Sequence, residues 1–454
     1  MRTAGFRSSA TDWRFAPDRL RTRYDLPGVA DAPTTMLTEG TESMSSREIA
    51  DEVARLGAMI TAGAGADHST VAASALAQYG DHILGLLADV ALRPSFPENE
   101  LENVRQSAIQ GLIAQRGQPA FLANERISRV IFGDHPYAVV APTQSSLEAI
   151  NAETLREFHR QYFVPNAAVL FVVGDVERDA VLRRAEELFG QWPAGSVPSE
   201  DYPSPTPGSS RKAYIVDRPG SAQSNIVIAN LGITRTSPDY FPMLLMHTVL
   251  GANASSRLFM NLREDKGYTY GAYSSLDARR TSGSFRATAE VRTPVTGDSL
   301  KEFFNELERI RHEEVSDKEL ADAQSFLTGV FPIRIETQEG LIDQLVQIKM
   351  FDLPANYLHT YRDQVTSVTK EDVRRVAHQY ITPDKAAIVV VGDAQAAIEQ
   401  IKPFTEDFEI YSSSGKRKIS ARDAGESISS RARRNVGADD QYSRRRPTAR
   451  HAQD

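Results

Sequence analysis

"NAETLREFHRQYFVPNAAVLFVVGDV", residues Asn151–Val176, returns as "TKEDVRRVAHQYITPDKAAIVVVGDA", Thr369–Ala394, at a constant offset of 218 and without a gap. Gln161-Tyr162, Pro165 and Gly174-Asp175 meet Gln379-Tyr380, Pro383 and Gly392-Asp393. Each copy reads as an amphipathic helix, a turn marked by proline, a buried strand and a Gly-Asp strand end. A period this long means duplicated domains rather than a solenoid. The spacing therefore predicts two tandem homologous domains, in keeping with a chain of 454 residues.

Outward from the repeat, "WPAGSVPSEDYPSPTPGSSRK" (Trp192–Lys212) has the Pro, Ser and Gly content of a semi-extended linker. The expected organisation is an atypical N-terminus over 1–26, a first domain over 27–192, a linker over 193–212, a second domain over 213–412 and a tail over 413–454. That tail carries 11 Lys/Arg against 5 Asp/Glu and no apolar periodicity, the pattern of a disordered basic extension. With a formal charge of -8 for the whole chain, the rest is acidic, which argues against nucleic acid as a partner.

Both domains alternate strands and helices. In the first, Ser45 and Glu48 form a capping box ahead of "REIADEVARL", with Gly57 as its C-terminal stop, and "PENELENVRQSAIQGLIAQR" repeats apolar residues at helical spacing. In the second, "SNIVIANLGI", "YTYGAYSSL" and "GSFRATAEVR" read as strands, and "YFPMLLMHTVL" as a buried helix. The fold class is α+β, each domain a mainly antiparallel sheet with helices on one face. Met1–Asp25 shows no apolar run of strand type, so the first domain is expected either to lack its opening strand or to begin upstream. A lost strand would expose a sheet edge.

The chemistry-bearing types are few. Cysteine is absent, which excludes thiolate nucleophiles, thiolate metal sites and disulfides. None of the nine histidines has another at the three- or four-residue spacing of a helical metal pair. His68, His82, His135 and His159 read as surface or capping residues. No apolar run of about 18 residues is present, so no membrane span is expected. "GAGA" at Gly63–Ala66 is too short for a phosphate loop, and Ser255-Ser256, Phe259 and Leu262 read as turn and packing residues.

In the order "PGVADAPTTMLTEGTESMSSREI", "FPENELENVRQSAI", "FGDHPYA", the first copy of the repeat, and "LGANASSRLFMNLREDKGYTYGAYSSL", the sequence resembles the M16 family of pitrilysin/insulinase-type zinc peptidases, over roughly Pro27 to Lys416. Active members carry H-x-x-E-H on the first helix and a glutamate on a later one. The two histidines and the distal carboxylate hold zinc, and the central glutamate activates its water. The positions matching His, Glu and His here are Asp31, Thr34 and Thr35, and the distal position is Gly111. Neither threonine nor glycine competes with water for zinc, so the resemblance implies that this chain binds no metal and is inactive by itself.

The second domain keeps "NLREDKGYTYGAYSS". In the family an arginine, and a tyrosine seven residues on, bind substrate backbone and stabilise the tetrahedral intermediate; Arg263 and Tyr270 match that spacing. A guanidinium fork suits a carbonyl or carboxylate, and a phenol donates one directed bond to an oxyanion. The resemblance thus implies the non-catalytic subunit of a bacterial two-chain peptidase. Its expected partners are a zinc-bearing M16 paralogue and a peptide added as a strand to a sheet edge. The same family contains zinc-free scaffold subunits, so a structural or peptide-binding role without catalysis is the competing expectation. Location stays open: cell envelope by analogy if the start lies upstream, cytoplasmic otherwise.

Overall fold

The computed structural model describes residues 8–15, 27–28, 30–196 and 202–420. The first half runs β1 (Ser8–Phe15), α1 (Asp31–Met36), α2 (Ser46–Arg55), β2 (Met59–Ala64), β3 (Ser69–Leu76), α3 (Gly80–Leu92), α4 (Glu98–Arg116), α5 (Pro119–Phe132), α6 (Gln144–Ala149), α7 (Ala152–Tyr162), β4 (Ala168–Val173) and α8 (Arg178–Phe189). The second runs β5 (Lys212–Asp217), β6 (Gln223–Leu231), α9 (Tyr240–Gly251), α10 (Arg257–Phe259), β7 (Thr269–Ala278), β8 (Gly283–Arg292), α11 (Thr296–His312), α12 (Asp317–Glu336), α13 (Gln338–Met350), α14 (Tyr357–Thr366), α15 (Lys370–Tyr380), β9 (Ala387–Gly392), α16 (Ala394–Ile401), β10 (Phe408–Ser412) and β11 (Arg417–Ser420).

Local chemistry explains where these elements begin and end. Ser45 and Glu48 close the capping box of α2, and Gly57, just past its end, adopts φ +58. The repeated helices are both side-chain capped, α7 by Asn151 and α15 by Thr369. Each then passes through a one-turn helix opened by Pro165 or Pro383 into β4 or β9.

Two sheets result, in the orders β2-β3-β1-β4 and β11-β10-β5-β9-β6-β8-β7. The first is antiparallel; in the second, β5 runs parallel to both β10 and β9 and the remaining pairs are antiparallel. β1 corrects the expectation of a missing opening strand. It lies between β3 and β4, pairing Ser8–Phe15 with Ser69–Leu76 on one side and Ala10–Phe15 with Ala168–Val173 on the other. A strand with two ladder partners is specified by those partners and needs no apolar run of its own. The tail expectation is corrected at its start in the same way: Arg417–Ser420 pairs with β10, while 421–454 lie outside the described residues.

Each half packs its own helices on one face of its sheet. In the second half Met243, Leu245 and Met246 of α9, Phe303 of α11 and Val376 of α15 meet Ile226, Ile228, Phe285 and Ala287. The opposite face is covered by the other half. Leu122, Ala123, Ile127 and Ile131 of α5 pack on Val216, Val227, Val389 and Val391. Reciprocally, Ile342 and Val346 of α13 pack on Phe171 and Val173 of β4.

A polar cluster adds to this junction. Tyr137 donates its hydroxyl to Asp67, whose other oxygen accepts from the Arg280 amide at 3.3 Å, and the Arg279 guanidinium lies 4.6 Å from the Tyr137 ring. His135 accepts the Tyr137 amide at Nδ1, 3.2 Å, so its Nε2 carries the proton shared with Thr281 Oγ1 at 3.0 Å. Burial, with the Arg279 charge nearby, pushes His135 down to about 4, and burial raises Asp67 despite its hydrogen bonds.

Candidate functional site

The residues matching the metal motif sit on α1, a short helix entered through a tight turn. Gly28 has φ +92, and a Cβ there would lie 2.8 Å from Pro142 Cβ, so only glycine fits. Pro33 falls in the first turn, where its missing amide costs nothing. Thr34 is fully buried and donates its hydroxyl to Ala30 O (3.1 Å) and Asp31 O (2.8 Å); Thr35 donates to Asp31 O at 3.0 Å. Both hydroxyls are thus bonded to their own helix. Gly111 is exposed on α4, with open space where a side chain would stand.

Between α1 and α4 lies a cavity of about 450 Å³ lined by Asp31, Ala32 and Thr35 on one side and Leu101, Val104 and Ala108 on the other. Arg105 fastens α4 beside it, donating to Leu147 O at 3.1 Å and Ile150 O at 2.8 Å. The structure brings Asp31 and Thr35 to this cavity but not Gly111. Among the described residues no three imidazole or carboxylate side chains converge to hold a metal ion. The donor set does not fit zinc: one aspartate, two hydroxyls bonded to backbone carbonyls and a glycine cannot supply the nitrogen and oxygen ligands it requires.

Nor do the histidines of this half replace the motif. His159 donates from Nε2 to Ala91 O at 2.8 Å, tying α7 to α3, and His82 pairs with Glu52. His135 caps the turn described above.

Arg263 and Tyr270 occupy the opposite kind of environment. Residues Met260–Asp265 form a π-helix directly after α10, closed by Lys266 N donating to Asn261 O at 3.0 Å. Leu258 and Leu262 point into the core, and Phe259 is buried beside the Tyr273 ring, 5.6 Å away. Arg263 projects outward with 44% side-chain exposure, its guanidinium 5.0 Å from the Phe259 ring. Its Nη1 donates to the Tyr270 carbonyl at 2.5 Å and its Nε to Glu264 at 3.1 Å. Tyr270 is 86% exposed at the start of β7, the last strand of the larger sheet among the described residues, and no hydrogen bond to its hydroxyl occurs among those residues. The two residues are joined by this bond from the Arg263 side chain to the Tyr270 backbone.

Sequence reasoning missed the supports of this segment. Arg257, with only 5% side-chain exposure, forms a two-pronged pair with Glu319, at 2.6 and 3.1 Å. Burial alone would raise the Glu319 carboxyl, but hydrogen bonds from Arg257 and Ser316 outweigh it and hold the group at about 2. The Ser316–Glu319 spacing is a legible capping box; its arginine partner, 62 residues away, carries no sequence signal.

No described helix is long and apolar enough to cross a membrane. Residues 22–138 match the family model described as Insulinase (Peptidase family M16), and residues 149–327 match the one described as Peptidase M16 inactive domain. An uncharacterized zinc protease, YmxG, of Bacillus subtilis is 23% identical over 376 residues, covering 81% of this chain and 90% of the relative. A protein named non-peptidase homolog YmxG, of Helicobacter pylori, is 24% identical over 373 residues, covering 80% and 84%. The crystal structure of a peptidase M16 inactive domain from Pseudomonas fluorescens superposes with a TM-score of 0.80 at 26% identity, over 86% of this chain and 93% of that one. A protease from Helicobacter pylori gives a TM-score of 0.80 at 18% identity, over 85% and 94%, a likeness of fold alone.

Proposed function

The chain belongs to the M16 peptidase family, and from that premise we propose that it is the substrate-positioning subunit of a two-chain zinc peptidase, lending Arg263 and Tyr270 to a partner's metal site. Within the family it is a non-catalytic member, since α1 and α4 carry no ligand set for zinc. In this reading it consists of two homologous domains joined by the linker over 193–212, and the zinc-bearing partner is a paralogue with an intact H-x-x-E-H.

One observation carries the reading: the guanidinium and the phenol are exposed together on one sheet edge, with the guanidinium held to the Tyr270 backbone carbonyl. Donors held in place before the reaction stabilise a developing oxyanion without reorganisation. Arg263 would bind a substrate carbonyl or carboxylate through its free Nη2, and Tyr270 would donate to the oxygen that gains charge. The partner's zinc would supply the activated water.

Co-expression with a relative bearing H-x-x-E-H, followed by a peptide hydrolysis assay, tests this directly. Activity is expected only from the pair, and Arg263→Ala and Tyr270→Phe should each lower it. Full activity in both variants would remove the role assigned to them. The second reading, a scaffold without part in catalysis, is supported by the relative named a non-peptidase homolog and would be favoured by a pair that assembles yet hydrolyses nothing.

A further inference from the structure

A π-helix is an uncommon way to carry a side chain, since its wider turn packs less well than an α-helical one. Such a segment persists only where its surroundings over-determine it. Two polar clamps do so here, both reaching outside the segment. Arg257, three residues before it at the start of α10, is paired with Glu319 at the N-terminus of α12, and the same carboxylate accepts from Ser316 N and Oγ at 2.8 and 2.9 Å. Asn261, within it, donates from Nδ2 to Glu302 and Glu306 of α11 at 3.2 and 2.9 Å, and Glu306 is itself only 7% exposed. Asn261 therefore holds both ends of the local geometry: its carbonyl accepts the bond from Lys266 that defines the π-turn, and its amide side chain ties that turn to α11. Arg263 lies two residues further on, and its bond to the Tyr270 carbonyl extends the same arrangement to β7.

We propose that Arg257 and Asn261 are positioning residues for Arg263 and Tyr270, clamping the π-turn to α11 and α12 so that the guanidinium keeps one direction from the sheet edge. This rests on the reading of Arg263 and Tyr270 as substrate-binding groups. It adds that their alignment comes from a buried polar frame on the two following helices rather than from the exposed pair itself. Misplacement of a binding group by a fraction of an ångström lowers turnover more than it lowers affinity, because the transition state is the more demanding of alignment.

The test uses the full chain paired with a zinc-bearing relative and a quenched-fluorescent peptide library as the probe. Asn261→Ala is expected to lower kcat about tenfold while KM changes less than about twofold. In an Arg263→Ala background it should add almost nothing, because the group it aligns is gone. Glu306→Gln, which keeps an acceptor for Asn261, should retain activity, whereas Glu306→Leu should behave like Asn261→Ala. Amide hydrogen exchange at Lys266–Tyr268 supplies a readout apart from hydrolysis, and should quicken in Asn261→Ala while pairing with the partner, followed by size exclusion, is unchanged. If Arg263→Ala loses activity but Asn261→Ala keeps it, or if the two losses multiply fully, this inference falls and the functional reading stands. If Arg263→Ala is as active as the parent, or the parent pair hydrolyses nothing, the functional reading itself has failed.

Discussion

The corner formed by α1 and α4 and the corner formed by the π-helix and β7 occupy different halves of one molecule and use their polar atoms in opposite ways. At the first, Thr34 and Thr35 turn their hydroxyls onto carbonyls three or four residues back, and Gly111 offers no side chain. At the second, Arg257 and Asn261 reach carboxylates 62 and 45 residues away, which leaves Arg263 and Tyr270 facing out. Polar groups satisfied by their own turn hold one helix together, whereas those at the second corner tie the turn to two other helices.

The contrast breaks most readily at Thr34. Thr34→Glu would place a carboxyl in a fully buried position without a partner, and is expected to cost about 3 kcal/mol in denaturant unfolding. Arg263→Glu, on the exposed side of the comparison, should stay within about 0.5 kcal/mol of the parent. Within the assembled pair, Arg263→Ala should lower kcat/KM about a hundredfold, close to 2.7 kcal/mol, while Asp31→Ala leaves it unchanged. An equal loss in both variants would mean that the two corners act as one site.

Smaller effects sharpen the same contrast. Arg257→Met removes the partner of a half-exposed carboxylate and is expected to cost about 2 kcal/mol at neutral pH. Because Glu319 is held at about 2 against an ordinary 4.5, its contribution is complete above pH 4.5 and disappears as pH falls toward 2. The gap in stability between the parent and Arg257→Met should shrink across that window, as thermal unfolding at several pH values would record. Least of all, a chelator should leave the melting temperature of the isolated chain unchanged, and metal analysis should find zinc well below one equivalent.

Much of the fold was legible. The repeat announced two related halves, the capping box at Ser45 and Glu48 fixed the start of α2, and alternation located β7 and β8. Of the site, the exposed pair and the lost ligand positions could be read because both lie inside short motifs. Three features could not. Ser8–Phe15 lacks a strand pattern and is extended because β3 and β4 need a backbone between them. The apolar stripe of α5 announces burial without naming what buries it, and its partner proved to be the sheet of the other half. The π-turn leaves no periodicity of its own, since one widened turn hardly shifts the pattern of Leu258 and Leu262.

What the sequence determined by itself was chemical and local: which side chains exist at the motif positions, and hence that α1 carries no histidine pair, together with the capping box of α2 and the duplicated frame. The tertiary structure alone decided the pairing of β1, the exchange of α5 and α13 across the two sheets, and the pairs that tie Arg257 and Asn261 to α12 and α11. The reason is that donor chemistry and capping act over three or four residues, within reach of reading along the chain. Ladder partners, buried faces and long-range ion pairs exist only once distant segments meet.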